Sequence, residues 1–79
     1  MTGDDYKKAI TVLKMTQVGS ARFFGVNDRT VRFWISGRSP VPRVVSMLLR
    51  VMVELNLDPM HVLALDASEL VLEDGVASA

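Results

Sequence analysis

Residues 16–37 read TQVGSARFFGVNDRTVRFWISG, and the fold follows from how this stretch is parsed. Gly25 divides it, with Ala21 four residues before, Val31 six after and Trp34 nine after. Two short helices that cross steeply need a small residue where they touch, a residue tolerant of positive φ between them, and apolar wedges on the second helix. Ala21, Gly25 and the Val31/Trp34 pair meet those needs in that order. Thr16 is the expected N-cap of the first helix, with its hydroxyl accepting from Val18 or Gly19, and Asn27 the expected cap of the second. Asp28 then opens the second helix, where the dipole favours an acid, and Gly37 fits the left-handed residue that closes it.

The second helix, about residues 28–36, turns Val31, Trp34 and Ile35 inward at i, i+3 and i+4. Asp28, Arg29, Arg32, Phe33 and Ser36 are left for the outside. A steep helix pair of this kind presents its second helix to the major groove of duplex DNA. Arg29 and Arg32 share one face, and an arginine can hold guanine O6 and N7 together, a contact contributing about 1–3 kcal/mol of discrimination. Phe33 has two readings: it meets a thymine methyl, or it folds back on helix 4 or a second subunit. Asp28 can accept from a cytosine amine, although capping accounts for it alone. Gln17, first in its helix, can reach a phosphate. Gly19 and Ser20 weaken that helix, Gly by about 1 kcal/mol against Ala, so tertiary contacts must hold it.

Around this pair the chain predicts three more helices. Thr2 and Asp5 form a weak capping box for a first helix over about residues 3–14, with Tyr6, Ile10 and Leu13 as its apolar stripe. Arg38 and Arg43 flank the loop after Gly37 and are read as phosphate contacts together with the start of helix 4, or as solubilising charge. Helix 4, about residues 42–56, carries two apolar stripes: Val44, Leu48, Val51, Met52 and Leu55, and Val45, Leu49 and Val53. One small core does not need both, which points to a second copy of the chain. Asp58-Pro59 opens a short helix 5 expected to face Met60, Leu63 and Ala64 inward. Residues 66–73 read either as a helical turn capped by Ser68 or as a short strand, and 74–79 as a frayed tail.

At 79 residues this is one small domain, near the size at which oligomerisation supplements a single core. Hydrophobic content of 49% against 23% charged residues describes a folding globule and not a disordered tail. With no cysteine, disulfides, thiolate metal sites and thiol nucleophiles are excluded. His61, the single histidine, has no partner spaced to share a metal or a proton. No paired carboxylates or phosphate loop can be assembled either, so the expectation is no enzyme, no metal and no cofactor. The absence of a leader and of an 18-residue apolar run predicts a soluble cytoplasmic protein without a membrane partner. Net charge is zero, but it is divided. Residues 14–43 hold Lys14, Arg22, Arg29, Arg32, Arg38 and Arg43 against Asp28, whereas residues 44–79 set Arg50 against six acids. A basic segment coinciding with a reading helix is the footprint of phosphate contact.

Gln17, Ala21, Gly25, Val26, Asn27, Val31 and Trp34, followed by WISGRSPVPR, resemble the helix-turn-helix of lambda-repressor and Cro type, the xenobiotic-response-element family of transcriptional regulators. The resemblance covers about residues 5–55, and Ser20 departs from it where an apolar residue is usual. It implies an all-α, compact five-helix domain spanning residues 1–73 with a central helix-turn-helix. Gln17 and the start of the second helix, with Asp28, Arg29 and Arg32 in the matching places, would touch double-stranded DNA. The expected function is sequence-specific regulation, most simply repression, by a homodimer on an inverted-repeat operator. The alternative is an antitoxin-type module that holds a toxin-like protein through the acidic, apolar C-terminal region.

Overall fold

Tyr6 has no exposed surface, and the elements around it can be traced outward from its ring. The computed structural model describes residues 1–68 and builds them into α1 (Gly3–Val12), α2 (Gln17–Phe24), α3 (Asp28–Ser36), α4 (Arg43–Glu54) and α5 (Pro59–Ala67), with no strand among the described residues. Helix α1 is the centre: α2 and α3 pack on it and on each other, and α4 packs on it separately. The core is Tyr6, Ile10 and Leu13 of the first helix region, Ala21, Val31 and Trp34 of the central pair, and Leu49 and Met52 of α4. The described residues thus form a compact all-helical domain of five helices. No described helix is long and apolar enough to cross a membrane.

Local chemistry sets the starts. Thr2 Oγ1 accepts from the Asp5 amide at 3.0 Å while the Asp5 carboxylate accepts from the Thr2 amide at 3.2 Å, completing the capping box. Hydrogen bonding to the Asp5 carboxyl from the Thr2 backbone amide, and after it from the Thr2 side chain, holds that carboxyl below its ordinary 3.8. Thr16 accepts from Gly19, Asn27 from Arg29 and Asp58 from Met60, each satisfying an amide that its helix leaves bare. Pro42 caps α4 with no side-chain bond, so that helix starts at Arg43.

Three of the five ends share one device. Lys14, Gly25 and Asn56 take left-handed backbones with φ of 62°, 69° and 52°. In each case the next amide reaches back five residues, Met15 to Ile10, Val26 to Ala21 and Leu57 to Met52, at 2.8–2.9 Å. Met15, Val26 and Leu57 fold onto the core as they do so, the apolar closure that accompanies this motif. This is why α1 stops at Val12 and not at residue 14: Lys14 is the residue that turns left.

Two contacts tie α1 to the central pair. The Tyr6 hydroxyl donates to Ser20 Oγ at 2.8 Å, and Ser20 in turn donates to the Gln17 carbonyl, also at 2.8 Å. Ser20 is fully buried. A serine among apolar neighbours is therefore the acceptor that a buried phenol requires. Burial pushes the Tyr6 phenol above its ordinary 10.0, partly offset by the Ser20 bond. At the other end, a β-carbon on Gly3 would collide with the carbonyl oxygens of Trp34 and Ile35, so the absence of a side chain lets α1 begin against the end of α3.

Helix α5 departs from expectation. Met60, Leu63 and Ala64 are exposed, and Val62 is the side chain of this helix that packs on the core. Being apolar nearly all round, the segment offers no periodicity from which an inner face could be chosen. Ser68 ends this helix and its hydroxyl donates to Leu65, so residues 66 and 67 belong to α5. The helix-or-strand expectation for 69–73 and the frayed tail at 74–79 lie outside the described residues.

Ser20→Ala should lower stability by about 1–3 kcal/mol, because it strands a buried phenol, whereas Tyr6→Phe leaves Ser20 bonded to Gln17 and costs less. In urea unfolding followed by Trp34 fluorescence, the double variant should lose clearly less than the two single losses combined; strict additivity would show that the bond contributes nothing.

Candidate nucleic-acid interface

Helix α3 is held from one side. Val31 and Trp34 are buried, and the Trp34 ring meets Tyr6 edge-on with centroids 5.5 Å apart. At 100° per residue the direction opposite that pair belongs to Arg29, Arg32 and Ser36, all of which are exposed. Asp28 and Phe33 flank them, each half-buried. Asn27 anchors the start of the helix and left-handed Gly37 its end, so the two guanidiniums project from a segment fixed at both termini.

The two cations of this face differ in their partners. Arg32 Nη1 lies 3.4 Å from the Asp28 carboxylate one turn earlier. Their spacing of four residues was the available signal. Both side chains are about half exposed, and such pairs contribute no more than about 0.5 kcal/mol, so the contact biases the Arg32 rotamer without locking it. Arg29 makes no ion pair among the described residues.

Phe33 has a third environment besides the two expected for it. The Arg38 guanidinium stands over its ring, 4.9 Å from the centroid. The Ser39 amide donates to the Phe33 carbonyl and the Arg38 amide to Ser36 Oγ, which folds the loop after Gly37 back along α3. Nothing in the sequence distinguished this stack, because the loop path that creates it depends on Gly37. Gln17 is exposed at the first position of α2, and Arg43 is exposed at the first position of α4.

Among the described residues no group of three histidines, cysteines or acids is placed to hold a metal ion. His61 is exposed on α5. The arrangement on α3 is one of presentation: two flexible cations and a hydroxyl on a rigid rod, bordered by a carboxylate and a capped aromatic ring. Comparison with family models, curated proteins and solved structures finds no match to the chain.

Arg38→Ala should uncover Phe33 and cost about 0.5–1 kcal/mol of stability, with Arg38→Lys between the two, as expected for an exposed cation over a ring. Thermal unfolding of the three proteins tests this, and identical midpoints would remove Arg38 from the packing of α3.

Proposed function

We propose that this chain is a sequence-specific DNA-binding regulator of helix-turn-helix type, with α2 and α3 as its two motif helices and α3 as the reading element. The observation that supports this most is the division of α3 into a buried Val31/Trp34 side and an exposed Arg29/Arg32/Ser36 side. A helix so divided offers its cations to a groove without loss of core, and a duplex groove admits a helix of this diameter.

In this reading Arg29 and Arg32 meet base edges, and Asp28 orients Arg32 and competes for it until a guanine replaces the carboxylate. Gln17, Arg38 and Arg43 meet phosphates, with Arg38 doing so from its station over Phe33. Phosphate contacts supply most of the affinity and make it fall with salt, whereas base contacts supply the discrimination. A homodimer would set two reading helices about 34 Å apart, on half-sites separated by one duplex turn. Occlusion of a promoter by the bound dimer would make the chain a repressor. The cytoplasm is where such a protein would act.

One observation favours a second reading. Helix α5 buries no residue, although Met60, Leu63 and Leu65 are all exposed on it. Apolar side chains in that position serve a protein that grips another through its C-terminal region, as an antitoxin holds a toxin. Stoichiometric co-purification of a second, unrelated chain that Leu65→Glu abolishes would favour it.

For the DNA reading, Arg32→Ala should remove the preference for a selected operator over random duplex while leaving salt-sensitive binding in place. Competition gel shifts measure this, and discrimination equal to that of the unsubstituted chain would refute the role of Arg32. Arg38→Gln should instead weaken binding to all duplexes alike and reduce the salt slope by about one.

A further inference from the structure

We propose that the outward side of α4 joins two copies of this chain, paired antiparallel across a two-fold axis. Three stripes run along this helix. Val45, Leu49, Met52 and Val53 face the core. Arg43, Arg50 and Glu54 share a charged flank on the far side. Between them lie Val44, Met47, Val51 and Leu55, which are 76%, 54%, 48% and 64% exposed. They follow one another at i, i+3, i+7 and i+11, a continuous apolar row about 16 Å long.

The row does not end at the helix edge. Val51 and Leu55 also line an open groove of about 720 Å³ between α4 and the start of α1, where Met1 and Ala9 add apolar surface beside the charged Asp5, Arg50 and Glu54. Monomeric proteins rarely expose continuous apolar patches beyond a few hundred Å². Stable dimers cover about 800 Å² on each partner, with an apolar centre and a polar rim. The row supplies such a centre, and the charged flank, which also borders the groove, supplies the rim.

Register identifies the occupant. If two α4 helices run antiparallel and cross near Leu49, Val44 of one copy meets Leu55 of the other and Met47 meets Val51. The same register brings Arg43 opposite Glu54 of the second copy, and the two-fold axis repeats that pair. A two-fold axis perpendicular to both helices keeps both charged flanks on one side, so these groups face one another. Parallel pairing would instead put the two charged flanks on opposite sides of the helix pair, where neither meets the other. The ion pairs within the described residues are Asp4–Lys8 and Asp28–Arg32, so Arg43 and Glu54 both remain available for the intermolecular contact. The helix thus carries matching size and opposite charge at positions symmetric about its own middle, as an isologous interface requires.

This rests on the homodimer of the preceding reading, names its surface, and moves Arg43 from the phosphate set to the interface. The test uses the full chain without DNA, so its outcome is separate from that of operator discrimination. Sedimentation equilibrium should show a reversible dimer. Val51→Glu should raise its dissociation constant at least about tenfold, as burial of a charge at an interface centre does. Arg43→Glu and Glu54→Arg should each weaken it several-fold through like-charge opposition, and the R43E/E54R double variant should restore it to within about twofold. Circular dichroism checks that each variant keeps its helices; all three positions are solvent-facing in the single chain. A chain that stays monomeric, a dimer indifferent to Val51→Glu, a double variant weaker than either single one, or a dimer broken by Leu65→Glu alone would overturn the proposal.

Discussion

The Tyr6 ring carries the mechanical burden of this small domain. It lies edge-on to Trp34 of α3, tilted against Phe24 of α2 with centroids 6.3 Å apart, and its hydroxyl is bonded to Ser20. One side chain from α1 thereby fixes both members of the central pair. Apolar contact alone would allow α2, weakened by Gly19 and Ser20, to slide along α1. A single directional hydrogen bond in the buried interior removes that freedom, since the Tyr6 phenol would otherwise be left unsatisfied. Phe23 packs edge-on to Phe24 at 5.0 Å and extends the same aromatic layer.

From this constraint comes the rigidity of the α3 surface. Its inner residues are clamped against α1 and α2, its start is capped by Asn27, and its end is stopped by Gly37 and the returning Arg38 loop. The outer side chains therefore ride on a backbone with little freedom, whereas Arg29 and Arg32 themselves remain solvated and able to move. In the proposed DNA-binding reading, a firm support with solvated tips would let the cations adjust to several base edges while keeping a constant approach.

The C-terminal third follows a different economy. Helix α4 touches α1 through one stripe and leaves a second apolar stripe outside, and α5 buries none of its residues. A chain of 79 residues has little interior to share among five helices. The first three helices, with one side of α4, occupy nearly all of it. The remaining apolar side chains of α4 and α5 thus stay on the surface.

Much of this was legible in the residues themselves. Helix number, the caps at Thr2, Thr16, Asn27 and Asp58, the turn at Gly25, the inward Val31 and Trp34, and the outward Arg29 and Arg32 all follow from local rules of capping, positive φ and a 3.6-residue period. Those rules act over a few residues, so the chain states them directly. Tertiary structure alone decided that Ser20 is the acceptor for Tyr6, that Lys14 closes α1 in a left-handed turn, that Gly3 lies against the end of α3, that Arg38 covers Phe33, and that Leu48 and Met52 of the first α4 stripe turn inward with Val45, Leu49 and Val53 while Val44, Val51 and Leu55 stay outside. Each of these depends on groups distant in sequence being brought within bonding distance, or on competition between nearly equal apolar faces for one small core. No local period can rank those faces, because what separates them is the shape of the partner already packed beside them.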